Sequence, residues 1–260
     1  MPGDRHDGPS FLPAADVTAP DRPNSSAVAA MIRLARPGDG PGVEALAHIA
    51  LGANAAMPTG PGAFAAAIDQ HGGRLTLPHG TGCALVAEHG EAAEGAPIGL
   101  AYTCPPVQLI DQYAELGRHG QRRLAGALAE LELLAVAEHA RGAGVGTALL
   151  AAAEKRLRRG GCRLIFAKVR ADDRPVQRWY RRRGYQLAAP GEPVAIDVDG
   201  ARIVFDDGRD GHRLAVKSLV SATQVRRVFA PTGSYLTVQP ALAPTPSSSL
   251  SSLPSGRARR

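Results

Sequence analysis

Three glycines at alternate positions, Gly142, Gly144 and Gly146, stand in the stretch Arg141-Gly142-Ala143-Gly144-Val145-Gly146-Thr147. An apolar run at 131–136 precedes them and a helical pattern at 148–157 follows. A strand, a glycine turn and a helix start in that order suit a phosphate. Glycine lets the backbone take unusual angles and come close to a ligand. The first helical turn leaves its N–H groups without intrahelical acceptors, and the positive end of the helix dipole adds to them. On the strand before the loop stand two carboxylates, Glu130 and Glu132. Strand residues two apart share a face unless a bulge intervenes, so both can look into one cleft and take a proton there.

Two common phosphate loops are excluded by spacing. The P-loop pattern needs a lysine and a second glycine that are absent, and the dinucleotide fingerprint needs a third glycine where Thr147 stands. What fits is R-x-x-G-x-G, from Arg141 to Gly146. With the strand at 129–136 before it, this resembles the acyl-CoA-binding motif of the GNAT N-acetyltransferase superfamily. A second stretch, 173–185, is similar to that family's N-x-x-A-x-x-x-Y-x-x-x-G-F element, with Tyr180, Gly184 and Tyr185 in register. Asp173 stands where Asn is usual and Val176 where Ala is usual. The two elements come in the family's order, about 30 residues apart.

The resemblance implies a mixed α/β (α+β) fold with a central, mostly antiparallel sheet, splayed at the cofactor strand and flanked by helices. It implies an acetyl-CoA-dependent N-acetyltransferase that passes acetyl to a primary amine by direct attack in a ternary complex. Leu134, Ala135 and Val136 would pair by backbone with the pantetheine arm, as a peptide adds a strand. A backbone N–H among them would face the thioester carbonyl. Arg141, Gly142, Ala143, Gly144, Val145, Gly146 and Thr147 would hold the pyrophosphate, and Asp173 and Tyr180 would lie near the coenzyme. Glu130 matches the family's glutamate and would take the amine proton through water, with Glu132 as the second candidate. Tyr180 would protonate the departing thiolate. The acceptor cleft would be lined by the turn at 54–64 and by a late hairpin.

Plainer readings stand beside these. Either carboxylate can face solvent or pair with a basic helix, and Tyr180 can be a core residue stacked beside Trp179. The whole domain can be a non-catalytic acyl-CoA-binding regulatory module. Between Arg141 and Arg183 there are 11 arginines and 2 lysines against three carboxylates, in a chain of net charge +6. That segment suits the phosphates of coenzyme A. Nucleic-acid binding is a poor reading, because aromatics are sparse among those arginines. Few aromatics also argue against a large flat acceptor. The acceptor is a small-molecule amine or a protein or peptide amine, and a homodimer is compatible with the sequence. Cys162 has no activating His nearby and reads as a small core residue. His139 can approach the cofactor but reads more simply as a solvated loop residue, and His48 can border the acceptor cleft. The other histidines lack ligand spacing, so no metal is expected.

Composition sets the domain bounds. Residues 1–28 carry five prolines with scattered charges, and the end of the chain is rich in Pro and Ser. Neither buries enough apolar surface to offset its ordering entropy. The expected layout is a disordered extension at 1–28, a GNAT domain at 29–220, and a disordered tail at 221–260. No apolar run is long enough for a membrane span, and 1–28 lacks a signal-peptide core. Three cysteines without metal spacing suit a reducing cytoplasm.

Periodicity places the elements: a strand at 31–35, helices at 41–56 and 63–70, and a hairpin from 83–88 and 97–102. A polar excursion is expected over 112–124. Then follow the strand at 129–136, a helix at 144–159 ended by Gly160-Gly161, and a strand at 163–169. Asp172 or Asp173 caps the next helix, with Pro175 in its first turn. Asp199-Gly200 between two β-branched runs predicts a hairpin, and 212–219 one more strand.

Overall fold

The structure is a computed structural model that describes residues 30–52, 60, 62–89, 95–206, 211–231 and 233–241. Strand β1 (Met31–Leu34) leads to α1 (Gly40–Leu51), which carries Pro41 in its first turn, and α2 (Ala63–His71) follows. Strands β2 (Arg74–Leu77), β3 (Gly80–Glu88) and β4 (Gly99–Cys104) come next. Helix α3 (Val107–Asp111), a 3-10 turn (Ala114–Leu116) and α4 (Gly117–Ala127) lead into β5 (Leu128–Val136). After the glycine loop come α5 (Val145–Arg159), β6 (Leu164–Arg170), α6 (Arg174–Arg181) and β7 (Gln186–Leu187). Strands β8 (Val194–Val198), β9 (Ala201–Phe205), β10 (His212–Ser218), β11 (Thr223–Ala230) and β12 (Gly233–Pro240) complete the order.

Most elements fall where periodicity places them, and the exceptions have physical causes. The polar excursion expected over 112–124 is largely helical. α4 exposes its arginines and buries only Leu124 and Ala127, too thin an apolar stripe to stand out in the sequence. The tail expected to be disordered from 221 is a hairpin as far as 240. β11 and β12 pair along their full length, from Thr223↔Pro240 to Ala230↔Gly233, yet Val225 and Leu236 are its only two buried apolar anchors. The four-residue β2 is also an addition. The expectations for 1–28 and for 242–260 lie outside the described residues. The Asp-Gly hairpin forms as expected, with φ of 53° at Asp199 and 86° at Gly200, the positive values a tight two-residue turn requires.

The strands make two sheets. The larger has the order β1-β3-β4-β5-β6-β10-β7, with β2 also on β3. Every pairing in it is antiparallel except β5 with β6. Those two run parallel only from Leu128↔Leu164 to Glu130↔Phe166, although both strands continue. Beyond Glu130 they part, and the sheet is splayed at that point. The smaller sheet has the order β11-β12-β8-β9. It packs through Ile196, Ile203, Val225 and Leu236 onto Leu124, Phe166, Leu214 and Val216. Glu192 fastens it to the end of β7: it accepts hydrogen bonds from Arg227 (2.6 and 2.8 Å) and Ser234 (2.7 Å), while Arg227 also donates to the Leu187 carbonyl.

Three cores result. One lies between α5 and one face of the large sheet, with Ala129, Leu131, Leu149, Ile165 and Tyr180 in it. The opposite face is covered by two separate clusters. α1 and α2 cover β3 and β4 through Val43, Phe64, Ile68 and Tyr102, while α3, α4 and the small sheet cover β6 and β10. The gap between those two clusters lies along β5.

Candidate active site

Strand β5 changes parity in mid-course. Thr103 pairs with Leu131 but Tyr102 pairs with Leu133, so Glu132 is an extra residue on β5, a β-bulge. Before it Ala129 and Leu131 face the α5 core; after it Leu134 and Val136 pack on that core, while Leu133 and Ala135 face α1 and α2. The bulge sits beside the point where β6 departs. An unbroken strand would keep Glu130 and Glu132 on one face, and the bulge re-aims the chain without separating them. Both line a single cavity of about 740 Å³ between the two clusters.

Each carboxylate has a partner there. Oε1 of Glu130 lies 3.1 Å from Nζ of Lys168 on β6, and Oε2 of Glu132 accepts a hydrogen bond from the Cys104 thiol at 3.2 Å. Burial and then the Glu132 carboxylate push the Cys104 thiol far above its usual range, so it is a neutral donor and not a thiolate nucleophile. Leu51, Ala63, Phe64 and Ala67 of α1 and α2 line one side of the cavity, and Val204, Phe205 and Asp206 of the β8–β9 hairpin another. Of the turn expected to line the acceptor side, 53–59 and 61 lie outside the described residues.

The glycine loop closes the other end of β5. Gly142 and Gly144 have φ of 82° and 84°, angles that L side chains resist. A Cβ at either would meet nothing within 4 Å, so the loop faces open space. Gly144 is the N-cap of α5, and its carbonyl takes the N–H groups of Thr147 and Ala148. Val145 is buried against β4, Arg141 donates to the Val136 carbonyl at 3.2 Å, and Ala143 is exposed. The loop is braced from α6: Arg183 donates to the Thr147 hydroxyl, and its guanidinium lies 3.8 Å from the centre of the Trp179 ring. Leu134, Ala135 and Val136 pair with Ala101, Leu100 and Gly99 of β4 on one edge. Among the described residues no strand pairs with their other edge, which β6 has left.

Tyr180 is buried on α6, its ring packed edgewise on Trp179 at 5.0 Å and Tyr185 at 5.1 Å. Burial pushes its phenol up, so it stays protonated. Its hydroxyl has no hydrogen-bond partner among the described residues, whereas that of Tyr185 is taken by Glu154 at 3.1 Å. Asp173 caps α6 by accepting from the Val176 N–H at 3.0 Å. The residues that sequence spacing did not single out are Lys168, Cys104 and the aromatic lining. Phe166 and Lys168 alternate on β6 with Ile165, Ala167 and Val169 of the α5 core, a period-2 signal that places them on the cavity face.

Residues 60–185 match the model of the acetyltransferase (GNAT) family. That segment runs from α2 through the glycine loop to the end of the Tyr180 element, and the chain carries a GNAT acetyltransferase domain. Similar solved structures include a GNAT-family protein from Desulfovibrio desulfuricans, 20% identical over 74% of this chain and 100% of that one, with a TM-score of 0.47. Ard1 from Thermoplasma volcanium is 18% identical over 75% of this chain and 100% of its own, with a TM-score of 0.45. The PaiA N-acetyltransferase of Thermoplasma acidophilum, solved with coenzyme A, is 13% identical over 73% and 99%, with a TM-score of 0.46. No curated protein sequence matches the chain.

Proposed function

We propose that the protein is an acetyl-CoA-dependent N-acetyltransferase that passes acetyl to a primary amine by direct attack. The observation that carries this is the position of the splay. The strands part between an open glycine loop at one end of β5 and two carboxylates lining a cavity at the other. N–H groups at the start of α5 and the loop from Arg141 to Thr147 receive the coenzyme's pyrophosphate, and the edge of Leu134, Ala135 and Val136 that no described strand pairs with receives its pantetheine arm.

An alkylammonium has a pKa near 10, so the amine must lose a proton before it attacks. Glu130, with Glu132 beside it, accepts that proton through water. The amine nitrogen then forms a bond to the thioester carbonyl carbon, and a backbone N–H of 134–136 holds the oxyanion. Collapse breaks the C–S bond. Tyr180 gives a proton to the thiolate, and the second proton lost by the nitrogen restores the phenol. The products are an acetamide, free coenzyme A and the first proton, which Glu130 returns to water. Asp173, as helix cap, orients the element that carries Tyr180.

The three cysteines are free thiols, in keeping with a cytoplasmic setting. Among the described residues no helix is long and apolar enough to cross a membrane. The test is to incubate the protein with acetyl-CoA and a panel of amines and to follow free thiol. Amine-dependent thiol release with one acetylated amine per thiol is the expected result. Acetyl-CoA binding without turnover across the panel would favour the regulatory module instead.

A further inference from the structure

We infer that the acceptor is a small primary amine on an aromatic body, bound as its ammonium and carrying no carboxylate. This rests on the cavity being the acceptor site of an acetyltransferase. The chain has five phenylalanines, five tyrosines and one tryptophan, and three of those phenylalanines with one tyrosine line this one cavity. They form two pairs. Phe64 and Tyr102 meet edge to face at 5.2 Å, and Phe166 and Phe205 meet tilted at 5.0 Å. The first pair belongs to the cluster of α1 and α2 and the second to the cluster of α4 and the small sheet, so they stand on opposite sides of the gap.

In the order of the sheet, β5 lies between the strand of Tyr102 and the strand of Phe166. Glu130 and Glu132 therefore lie between two aromatic walls. Three carboxylates line the cavity, those of Glu130, Glu132 and Asp206, against a single described base, Lys168, whose charge is already set against Glu130. An excess of negative charge in a cavity otherwise lined largely by apolar side chains attracts an ammonium and repels a carboxylate. Aromatic rings lining both sides favour a flat apolar body between them. A polyamine would have to bury its further charges against that apolar lining. A cavity of about 740 Å³ is of the size that encloses a small molecule.

The full-length protein with acetyl-CoA is assayed for thiol release with 2-phenylethylamine, spermidine, L-lysine and a peptide with a free N-terminus. A kcat/KM for 2-phenylethylamine at least about tenfold above the other three is expected. In Phe166→Leu that preference over spermidine should shrink at least about threefold, a ratio that does not depend on how much of the variant folds. A preference for spermidine, lysine or the peptide would overturn the inference and leave the acetyltransferase reading intact. Absence of turnover with every amine would overturn that reading instead. Calorimetry with 2-phenylethylamine alone then decides: binding weakened by Phe166→Leu upholds the aromatic site, and no binding overturns it.

Discussion

Nζ of Lys168 lies 3.1 Å from Oε1 of Glu130, beside the last residue pair that β5 and β6 share before they part. The lysine thus neutralises one of two neighbouring carboxylates, while the other, Glu132, is held by the Cys104 thiol. The two are set in different surroundings, and their roles are separable. Glu130→Gln should lower kcat by at least about 100-fold, the usual scale for removing a general base. Glu132→Gln should act mainly on the amine KM. Acetyl-CoA affinity should change in neither. A larger loss of kcat in Glu132→Gln would make the bulged residue the base.

Tyr180→Phe separates catalysis from packing. The ring contacts with Trp179 and Tyr185 survive the change, and the lost hydroxyl has no partner among the described residues. Thermal stability should therefore stay within about 0.5 kcal/mol, in line with a substitution that touches no named interaction. Turnover should fall while acetyl-CoA affinity holds. A parallel fall in stability and in affinity would mark the tyrosine as a packing residue.

Two glycines test the loop in opposite ways. Gly144→Ala forces an L residue to φ near 84° and projects a methyl group into the open space before α5. It should cost roughly 1–2 kcal/mol in backbone strain and weaken acetyl-CoA binding disproportionately. Gly99 lies beneath α5, where a Cβ would come within 2.8 Å of Leu149 Cδ1 and 3.0 Å of Val145 Cγ1. Gly99→Val should lift the start of α5, costing about 1–3 kcal/mol of stability, with coenzyme affinity falling along with it. Denaturant unfolding and calorimetry on the same samples check both.

Glu192 makes the small sheet sensitive to acid. Burial would raise its carboxyl, but hydrogen bonds from Arg227, Ser234 and the Ala189 N–H outweigh burial and bring it down to about 2 from an ordinary 4.5. A carboxylate depressed on folding stabilises fully above its unfolded value, and that contribution is lost as pH falls from about 4.5 towards 2. Glu192→Gln should cost about 1–3 kcal/mol near neutrality, since a neutral amide replaces the buried carboxylate that takes hydrogen bonds from Arg227, Ser234 and the Ala189 N–H. It should also flatten the fall in stability over that acid range. Urea unfolding at a series of pH values reads both effects.

Much of the candidate site's local geometry was legible in the sequence because its signals are local. The glycine loop, the Asp173 cap and the Asp199-Gly200 turn each depend on residues a few positions apart. The bulge was not legible, because the extra residue at Glu132 is defined only against the register of β4. The aromatic walls were hidden for the same reason: Phe64, Tyr102, Phe166 and Phe205 are dispersed over more than half the chain and line one cavity only in the folded sheet. Hairpin β11–β12 escaped because Val225 and Leu236 anchor it by long-range packing and the Glu192 clamp comes from a distant loop. α4 escaped because its helical period rests on two buried residues amid charge.

Thiol release from acetyl-CoA, followed with and without an amine acceptor, bears most directly on whether the loop and the paired carboxylates form one reaction centre. Release that depends on amine, yields an acetamide in equal amount and drops at least about 100-fold in Glu130→Gln is the expected result. Tight binding of acetyl-CoA with release no faster than in buffer, whatever the amine, would contradict it.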